Sequence, residues 1–189
     1  MSGLTSSGTV WYLMRGSGVV SMLLLTAVVA LGVATASRTT LGRLPRFVTM
    51  SLHRSLALLS VVFLAIHVAT AVIDPYAGIG LAAVVVPFVA SRSAFWMGLG
   101  AMALDLVGAL IVTSALRHRL PAALWRGVHW LAYLAWPVAL LHGVGGGTDT
   151  GEPWMLALAG ACCGVVAGAV AWRLTGGRAR GPEAARRLA

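Results

Sequence analysis

Four histidines lie inside apolar segments of this 189-residue chain, in two pairs of similar spacing. His53 and His67 share one hydrophobic run with thirteen residues between them, and His129 and His142 share a later run with twelve between them. Because a helix rises about 1.5 Å per residue, each pair spans roughly 20 Å, which is most of a hydrocarbon core of about 30 Å. Imidazole inside a membrane-spanning helix is costly and therefore indicates function. Two haems stacked across a bilayer, each held by two imidazoles, fit this arrangement.

The composition indicates that a membrane surrounds these histidines. The chain is 59% hydrophobic and 10% charged, with a mean hydropathy of +0.88, which is unlike a soluble domain. Five apolar runs are long enough to cross a bilayer, near Val19–Ala36, Phe47–Ile73, Phe95–Leu116, Leu124–Val144 and Trp154–Leu174. The sequence therefore predicts an all-α integral membrane protein, a bundle of five transmembrane helices over residues 1–174. Residues 2–14 are expected to form a polar-aromatic lead-in, and residues 175–189 a mobile basic tail.

The formal charge of +9 is distributed as in a membrane protein, not as in a nucleic-acid-binding protein. Arginines are concentrated in the links between helices one and two and between helices three and four, and after helix five. Short arginine-rich loops stay cytoplasmic, which places the N-terminus outside and the C-terminus inside. His53 and His129 then lie near the cytoplasmic face, and His67 and His142 near the outer face. Cleavage of a secretory signal near Ala36 is not expected, because it would leave an arginine-rich N-terminus on the wrong side.

The two pairs differ in helical phase. Fourteen steps of about 100° return His67 to within about 40° of His53 on the same helix face. Thirteen such steps leave His142 on a different face of the helix from His129. The rotation of the helix must therefore change between the two residues for both to face the same neighbour. Pro137 lies between the two and permits a kink, because proline breaks a backbone hydrogen bond.

Several side chains are candidates for the surroundings of two haems. Haem propionates require cations, and the candidates are Arg54, Arg117, Arg119 and Arg126 inside, with Arg15 and Arg92 outside. The alternative for Arg15 is a snorkelling side chain without a partner in the site. Trp136, about midway between His129 and His142, is the candidate for an inter-haem spacer.

Other polar residues have simpler interpretations. His118 is expected to be a solvated loop residue, and Cys162 and Cys163 to be packing residues. Asp105 is expected to pair with an arginine or a polar group. A zinc site fits less well than haem, because zinc requires clustered ligands and these histidines lie at two levels. Hydrogen bonding of each histidine to a neighbouring helix is the non-functional alternative.

The histidine framework resembles the ferric reductase-like transmembrane domain, a family that includes NADPH oxidases, ferric reductases and the haem-binding membrane subunit of bacterial methionine sulfoxide reductase. Further matching segments are Arg15–Gly18, Thr113–Ser114, Arg117–Arg119 and Trp125–Tyr133, and the resemblance covers roughly residues 11–174. It implies two haem b groups, an inner one on His53 and His129 and an outer one on His67 and His142. It also implies electron flow from the cytoplasm to the outside, with Arg15 beside the outer haem and its acceptor site.

The function expected from this resemblance is that of a dihaem membrane cytochrome in the cell membrane. The sequence contains no Gly-rich dinucleotide fingerprint, so a cytoplasmic flavoprotein, flavin or quinol is the expected donor in trans. The expected acceptor is ferric iron, oxygen or a partner extracytoplasmic oxidoreductase. Whether the chain itself catalyses a chemical step stays open at this point. The competing interpretation is a non-redox transporter or assembly protein whose histidines bind a metal ion or protons.

Overall fold

A computed structural model describes residues 7–36, 45–75 and 77–178 of the chain. These ranges form helices without strands, namely α1 (Ser7–Ala36), α2 (Arg46–Ile73), α3 (Leu81–Val85), α4 (Ala94–Ala115), α5 (Ala122–His129), α6 (Ala132–Gly146) and α7 (Pro153–Arg178). Of these helices, α1, α2, α4 and α7 are each long and apolar enough to cross a membrane. The chain is therefore an all-helical, multi-pass membrane protein, as its composition predicts.

Prolines mark the beginnings of three helices. Pro45 directly precedes α2, Pro121 directly precedes α5, and Pro153 is the first residue of α7. Proline has no backbone N–H, and the first N–H groups of a helix have no partner within the helix, so proline is well tolerated there. These positions fix where three helices begin after their polar links.

Two predicted helix limits are wrong. Helix α1 begins at Ser7, well before the predicted Val19, and part of the expected lead-in is therefore helical. The segment Trp11–Met14 contains no proline and continues the apolar surface of the helix, so nothing in it ends the helix. Helix α7 continues past Leu174 to Arg178, and the remaining tail lies outside the described residues.

The predicted run Leu124–Val144 forms two helices, α5 and α6, separated by Trp130 and Leu131. Both residues keep helical backbone angles, but the hydrogen bonds here join residues three apart: Leu131 N donates to Val128 O at 2.9 Å, and Tyr133 N to Trp130 O at 3.1 Å. Each residue in such a tight turn advances by about 120° instead of about 100°. The turn therefore rotates His142 back toward the azimuth of His129.

Pro137 lies inside α6, and the interruption lies on its N-terminal side. Proline cannot donate a hydrogen bond to the carbonyl four residues earlier, which belongs to Tyr133, and its ring crowds that carbonyl. The disturbance from a proline therefore falls on the preceding turn. The sequence predicts a change of helical rotation in this region. It takes place within Val128–Leu134, before Pro137 itself.

Helix α1 packs most extensively against α2, and α4 against α6, while α1 also contacts α6 and α7. One buried cluster joins Val29 of α1, Trp136 of α6 and Cys162 of α7, and Trp136 Nε1 donates to Thr26 Oγ1 at 2.9 Å. Cys162 is a packing residue, as predicted, whereas Cys163 is exposed. The two histidine-bearing units, α2 and α5–α6, are thus each supported by a partner helix.

The orientation of the bundle is testable with reporters at its two ends. The arginine-rich links predict that a reporter fused after Ala189 is cytoplasmic and that a tag inserted at Thr148, between α6 and α7, is accessible from outside. Alkaline phosphatase and fluorescent-protein fusions measure the first, and labelling of intact cells measures the second. The reverse pattern would invert the assignment of inner and outer histidines.

Candidate functional site

The two histidine pairs face each other across the space between α2 and the α5–α6 unit. The ring centroids of His53 and His129 are 6.5 Å apart, and those of His67 and His142 are 6.4 Å apart. Two imidazoles on opposite sides of one metal ion, each bonded at about 2.0 Å, have ring centres about 6 Å apart. Each pair therefore has the separation that one metal ion between its rings requires.

Backbone carbonyls hold three of the four rings in position. The Nδ1 atoms of His53, His67 and His142 lie 3.0, 2.8 and 2.8 Å from the carbonyl oxygens of Val28, Met14 and Trp96, respectively. A carbonyl oxygen only accepts, so Nδ1–H donates in each case and Nε2 keeps its lone pair. This is the tautomer that binds a metal through Nε2, with its other nitrogen fixed by an outer partner.

His129 is held differently. Its ring stacks on the indole of Trp125, with centroids 4.9 Å apart and an interplanar angle of 21°, and the Arg117 guanidinium carbon lies 4.8 Å from the Trp125 ring centroid. Within the described part of the chain, His129 Nδ1 and Trp125 Nε1 are buried and have no hydrogen-bond partner. Buried donors without an acceptor are costly. The Trp125 indole N–H is always a donor, and such a donor next to a guanidinium fits a carboxylate-bearing group such as haem.

The other predicted inner cations, Arg54, Arg119 and Arg126, are exposed. Arg54 follows His53 on α2, and Arg126 precedes His129 by about one turn of α5. Both therefore lie at the end of the bundle that carries His53 and His129, which is the cytoplasmic end in the predicted orientation. His118, in the same link as Arg117, is exposed as predicted.

Glycines on α1 and α4 let the imidazoles lie directly against backbone. A Cβ at Gly18 would lie 2.9 Å from His67 Nδ1, one at Gly100 would lie 2.7 Å from His142 Cε1, and one at Gly32 would lie 3.3 Å from His53 Cε1. Sequence reasoning missed the roles of Gly32 and Gly100. A signal was present for one helix, because Gly18 and Gly32 have the same spacing as His53 and His67, as two antiparallel helices in register require.

A cavity of about 520 Å³ lies beside the outer histidine pair. Ligand cavities are typically about 300–1,000 Å³, so this one has the size of a cofactor site. Its lining includes both outer histidines and their glycines, together with Arg15, Asp149 and Val84. The volume of the cavity and the histidines and glycines that line it fit a bound haem.

Arg15 is paired at the outer end of this cavity. Its guanidinium forms an ion pair with Asp149, in the link after α6, and lies over the Trp11 ring with its carbon 4.1 Å from the centroid. Its side chain is 27% exposed. Arg15 therefore has a charged partner within the chain, and sequence reasoning did not pair it with Asp149.

Two other predicted residues lie away from the cavity lining. Trp136 is buried between α1 and α7 through its contacts with Thr26 and Cys162. Asp105 makes no hydrogen bond or ion pair within residues 7–36, 45–75 and 77–178, so the expected pairing does not occur there. Its side chain is exposed on α4.

One known family matches more than half of the chain. It is described as "Ferric reductase like transmembrane component", and the match covers residues 17–140. The protein belongs to this family, as the sequence resemblance predicts. No curated protein and no solved structure matches the chain. Members of the family generally bind haem, and their function in the membrane is electron transfer.

The glycine contacts generate a prediction with internal controls. Gly18→Ala and Gly100→Ala should each displace an outer histidine and lower the amount of haem bound, because the new methyl group would overlap its ring. Gly16→Ala and Gly108→Ala, on the same two helices, have no atom within 4 Å of the new Cβ and should bind haem normally. The haem-to-protein ratio of the purified variants measures the effect. Equal loss in all four variants would contradict this account of the site.

Proposed function

We propose that this protein is a dihaem b-type membrane cytochrome, which carries single electrons from a cytoplasmic donor to an acceptor outside the cell membrane. The observation that carries the proposal is the pair of imidazole–imidazole separations, 6.5 Å at the inner level and 6.4 Å at the outer level. Three of the rings also present Nε2 as the free nitrogen. Both features are what bis-imidazole ligation of haem iron requires.

The proposed path crosses the whole bilayer. In this proposal α5 and α6 cross together as the fifth membrane span, since only Trp130 and Leu131 separate them. The N-terminus is outside and the C-terminus inside, on the basis of the arginine-rich links. Outward electron transfer from a negative interior gains about 2.3 kcal/mol per 100 mV of membrane potential. The membrane field therefore assists the proposed direction.

The chain's own residues hold, orient and shield the carriers. His53 and His129 would hold the inner haem, and His67 and His142 the outer haem. When bound, each haem would supply a one-electron carrier, and because two histidines would hold each one, it would suit electron transfer and not direct oxygen binding. Carbonyls of α1 and α4 fix three of the rings, and burial by the bundle excludes water from the carriers.

Cations at the two ends would bind the haem carboxylates. At the inner end these are Arg54, Arg117 and Arg126, with Trp125 Nε1 as an additional donor. At the outer end it is Arg15, whose present partner is Asp149. Trp136 lies on α6 between the two histidine levels, but its ring is buried against α1 and α7 and outside the cavity lining, so the proposal gives it a packing role and not a place between the haems.

The reaction partners follow from the proposed orientation. The donor would be a flavoprotein, free flavin or quinol at the cytoplasmic side, and the acceptor ferric iron, oxygen or an extracytoplasmic oxidoreductase. Arg15 and Asp149 lie on the outer cavity, where such an acceptor would meet the chain. The competing metal-transport interpretation has less support, because among the described residues no three His, Cys, Asp or Glu side chains form a metal site.

Haem content tests the proposal directly. Purified protein should contain two b-type haems per chain by the pyridine haemochrome assay. His67→Ala and His142→Ala should each remove one haem and the same haem, while His53→Ala and His129→Ala should affect the other. A folded protein with no haem would overturn the proposal, and loss of one shared haem in His67→Ala and His129→Ala would overturn the pairing.

The Arg15–Asp149 ion pair predicts opposite shifts of the outer haem potential. Arg15→Ser removes a positive charge and should lower the midpoint potential by tens of millivolts, because a nearby cation favours the reduced state. Asp149→Asn leaves Arg15 unneutralised and should raise it. Redox titration of the purified variants measures both shifts.

Glu152→Gln is the matched control, because Glu152 is an exposed acid of the same link outside the cavity lining. This variant should leave the potential of the outer haem unchanged. Shifts of the same sign in Arg15→Ser and Asp149→Asn would contradict an electrostatic effect of the pair.

A further inference from the structure

Asp105 is an acidic residue near the middle of α4, a 22-residue membrane-spanning helix. Its side chain is exposed and has no hydrogen-bond or ion-pair partner in the described part of the chain. Ionisable residues within membrane spans are costly and normally face a bundle interior or an aqueous cavity, where they are paired. An exposed, unpaired carboxyl group at this depth indicates that a polar or charged group from outside the chain pairs with it.

The direction of Asp105 separates it from the haem site. On α4, Leu99 and Ala103 pack against Val138 of α6, and Gly100 and Leu104 line the outer cavity. At about 100° per residue, Asp105 points about 100° or more away from each of these four α4 residues. Ala101 and Met102, about 40° and 60° from Asp105, mark the margins of the cavity lining and of the α6 contact, and Asp105 itself is exposed and belongs to neither. Its side chain therefore faces neither α6 nor the haem cavity, but outward from the bundle.

The chain itself covers the outer half of this helix face but leaves the inner half open. Gly98 precedes Asp105 by seven residues and lies on the same face, where the Phe88 ring packs so closely that a Cβ at Gly98 would overlap it. Further toward the inner end, a Cβ added at Gly108 would have no atom within 4 Å, and Val112 is 55% exposed. Small residues such as glycine, and polar side chains that bond across helices, are enriched where two membrane helices pack closely.

We propose that the face formed by Asp105, Gly108 and Val112 docks against a membrane-spanning helix of a different subunit, and that this helix carries a basic side chain at mid-depth. The carboxyl group would pair with that base, and Gly108 would allow the two backbones to approach. This surface is separate from the proposed haem ligands, so its role does not depend on them.

A second copy of this chain is a poorer occupant. The sequence contains no lysine, and the described arginines lie in the links or near the ends of the spans, at positions 15, 46, 54, 92, 117, 119, 126, 173 and 178. A second copy would therefore offer Asp105 no arginine or lysine at the same depth, and its membrane histidines face one another in pairs within that copy. Charge complementarity favours a partner with its own intramembrane base.

The test is site-specific photo-crosslinking of the full-length protein in the membranes of its own host. A photoreactive residue replaces Val112, and in a control it replaces Val165, which is 52% exposed on α7. The crosslinked peptide is then identified by mass spectrometry. The proposal predicts capture at Val112 of a hydrophobic segment of another protein that contains Arg, Lys or His, with no such capture at Val165.

The second part of the test is whether crosslinking at Val112 depends on the charge of Asp105. Capture at Val112 should fall several-fold in an Asp105→Asn background and be retained with Asp105→Glu, while haem content stays unchanged in both. Capture of this chain itself, of lipid alone, of a segment without a basic residue, or capture that is independent of Asp105 would overturn the proposal. Because haem content is measured on the same samples, a failure here is distinguishable from a failure of the proposed electron-transfer function.

Discussion

Three carbonyl oxygens, of Val28, Met14 and Trp96, are the contacts on which the arrangement of the histidines depends. Each lies on a helix next to a histidine-bearing one and accepts a hydrogen bond from the Nδ1 atom of an imidazole. A side chain with two rotatable bonds is thereby held in one orientation, with the opposite nitrogen free. The packing of α1 against α2 and of α4 against α6 is therefore not only structural support, because it decides which atom each histidine offers.

The glycines follow from the same constraint. A ring can reach a carbonyl on the neighbouring helix only if no Cβ stands between them, which explains the close approaches at Gly18, Gly32 and Gly100. His129 lacks such a carbonyl and is stacked on Trp125 instead. The inner pair is thus held by one carbonyl and one aromatic ring, and the outer pair by two carbonyls, so the two proposed haems would have different surroundings.

Two charged residues in the membrane spans, Arg15 near a helix end and Asp105 near the middle of a helix, differ in whether the described part of the chain supplies a partner. Arg15, near the outer end of α1, is neutralised by Asp149 and shielded by Trp11, so its cost in the membrane is reduced within the chain. Asp105, at mid-depth, receives no such compensation from the described residues. The contrast between a charge with an internal partner and one without it separates residues of the proposed haem site from the surface proposed to bind another subunit.

The sequence by itself determined the class of protein, the two histidine levels and the family, because hydrophobic length and helical rise are local properties that a single chain displays directly. It also placed His53 with His129 and His67 with His142 by depth, and the rings do meet in those pairs. It did not determine the tight turn before Pro137, the pairing of Arg15 with Asp149, or the direction of Asp105. Those depend on the azimuth of each helix and on which helices are neighbours, and only tertiary packing decides them, because contacts between distant segments leave no periodic signal in one sequence.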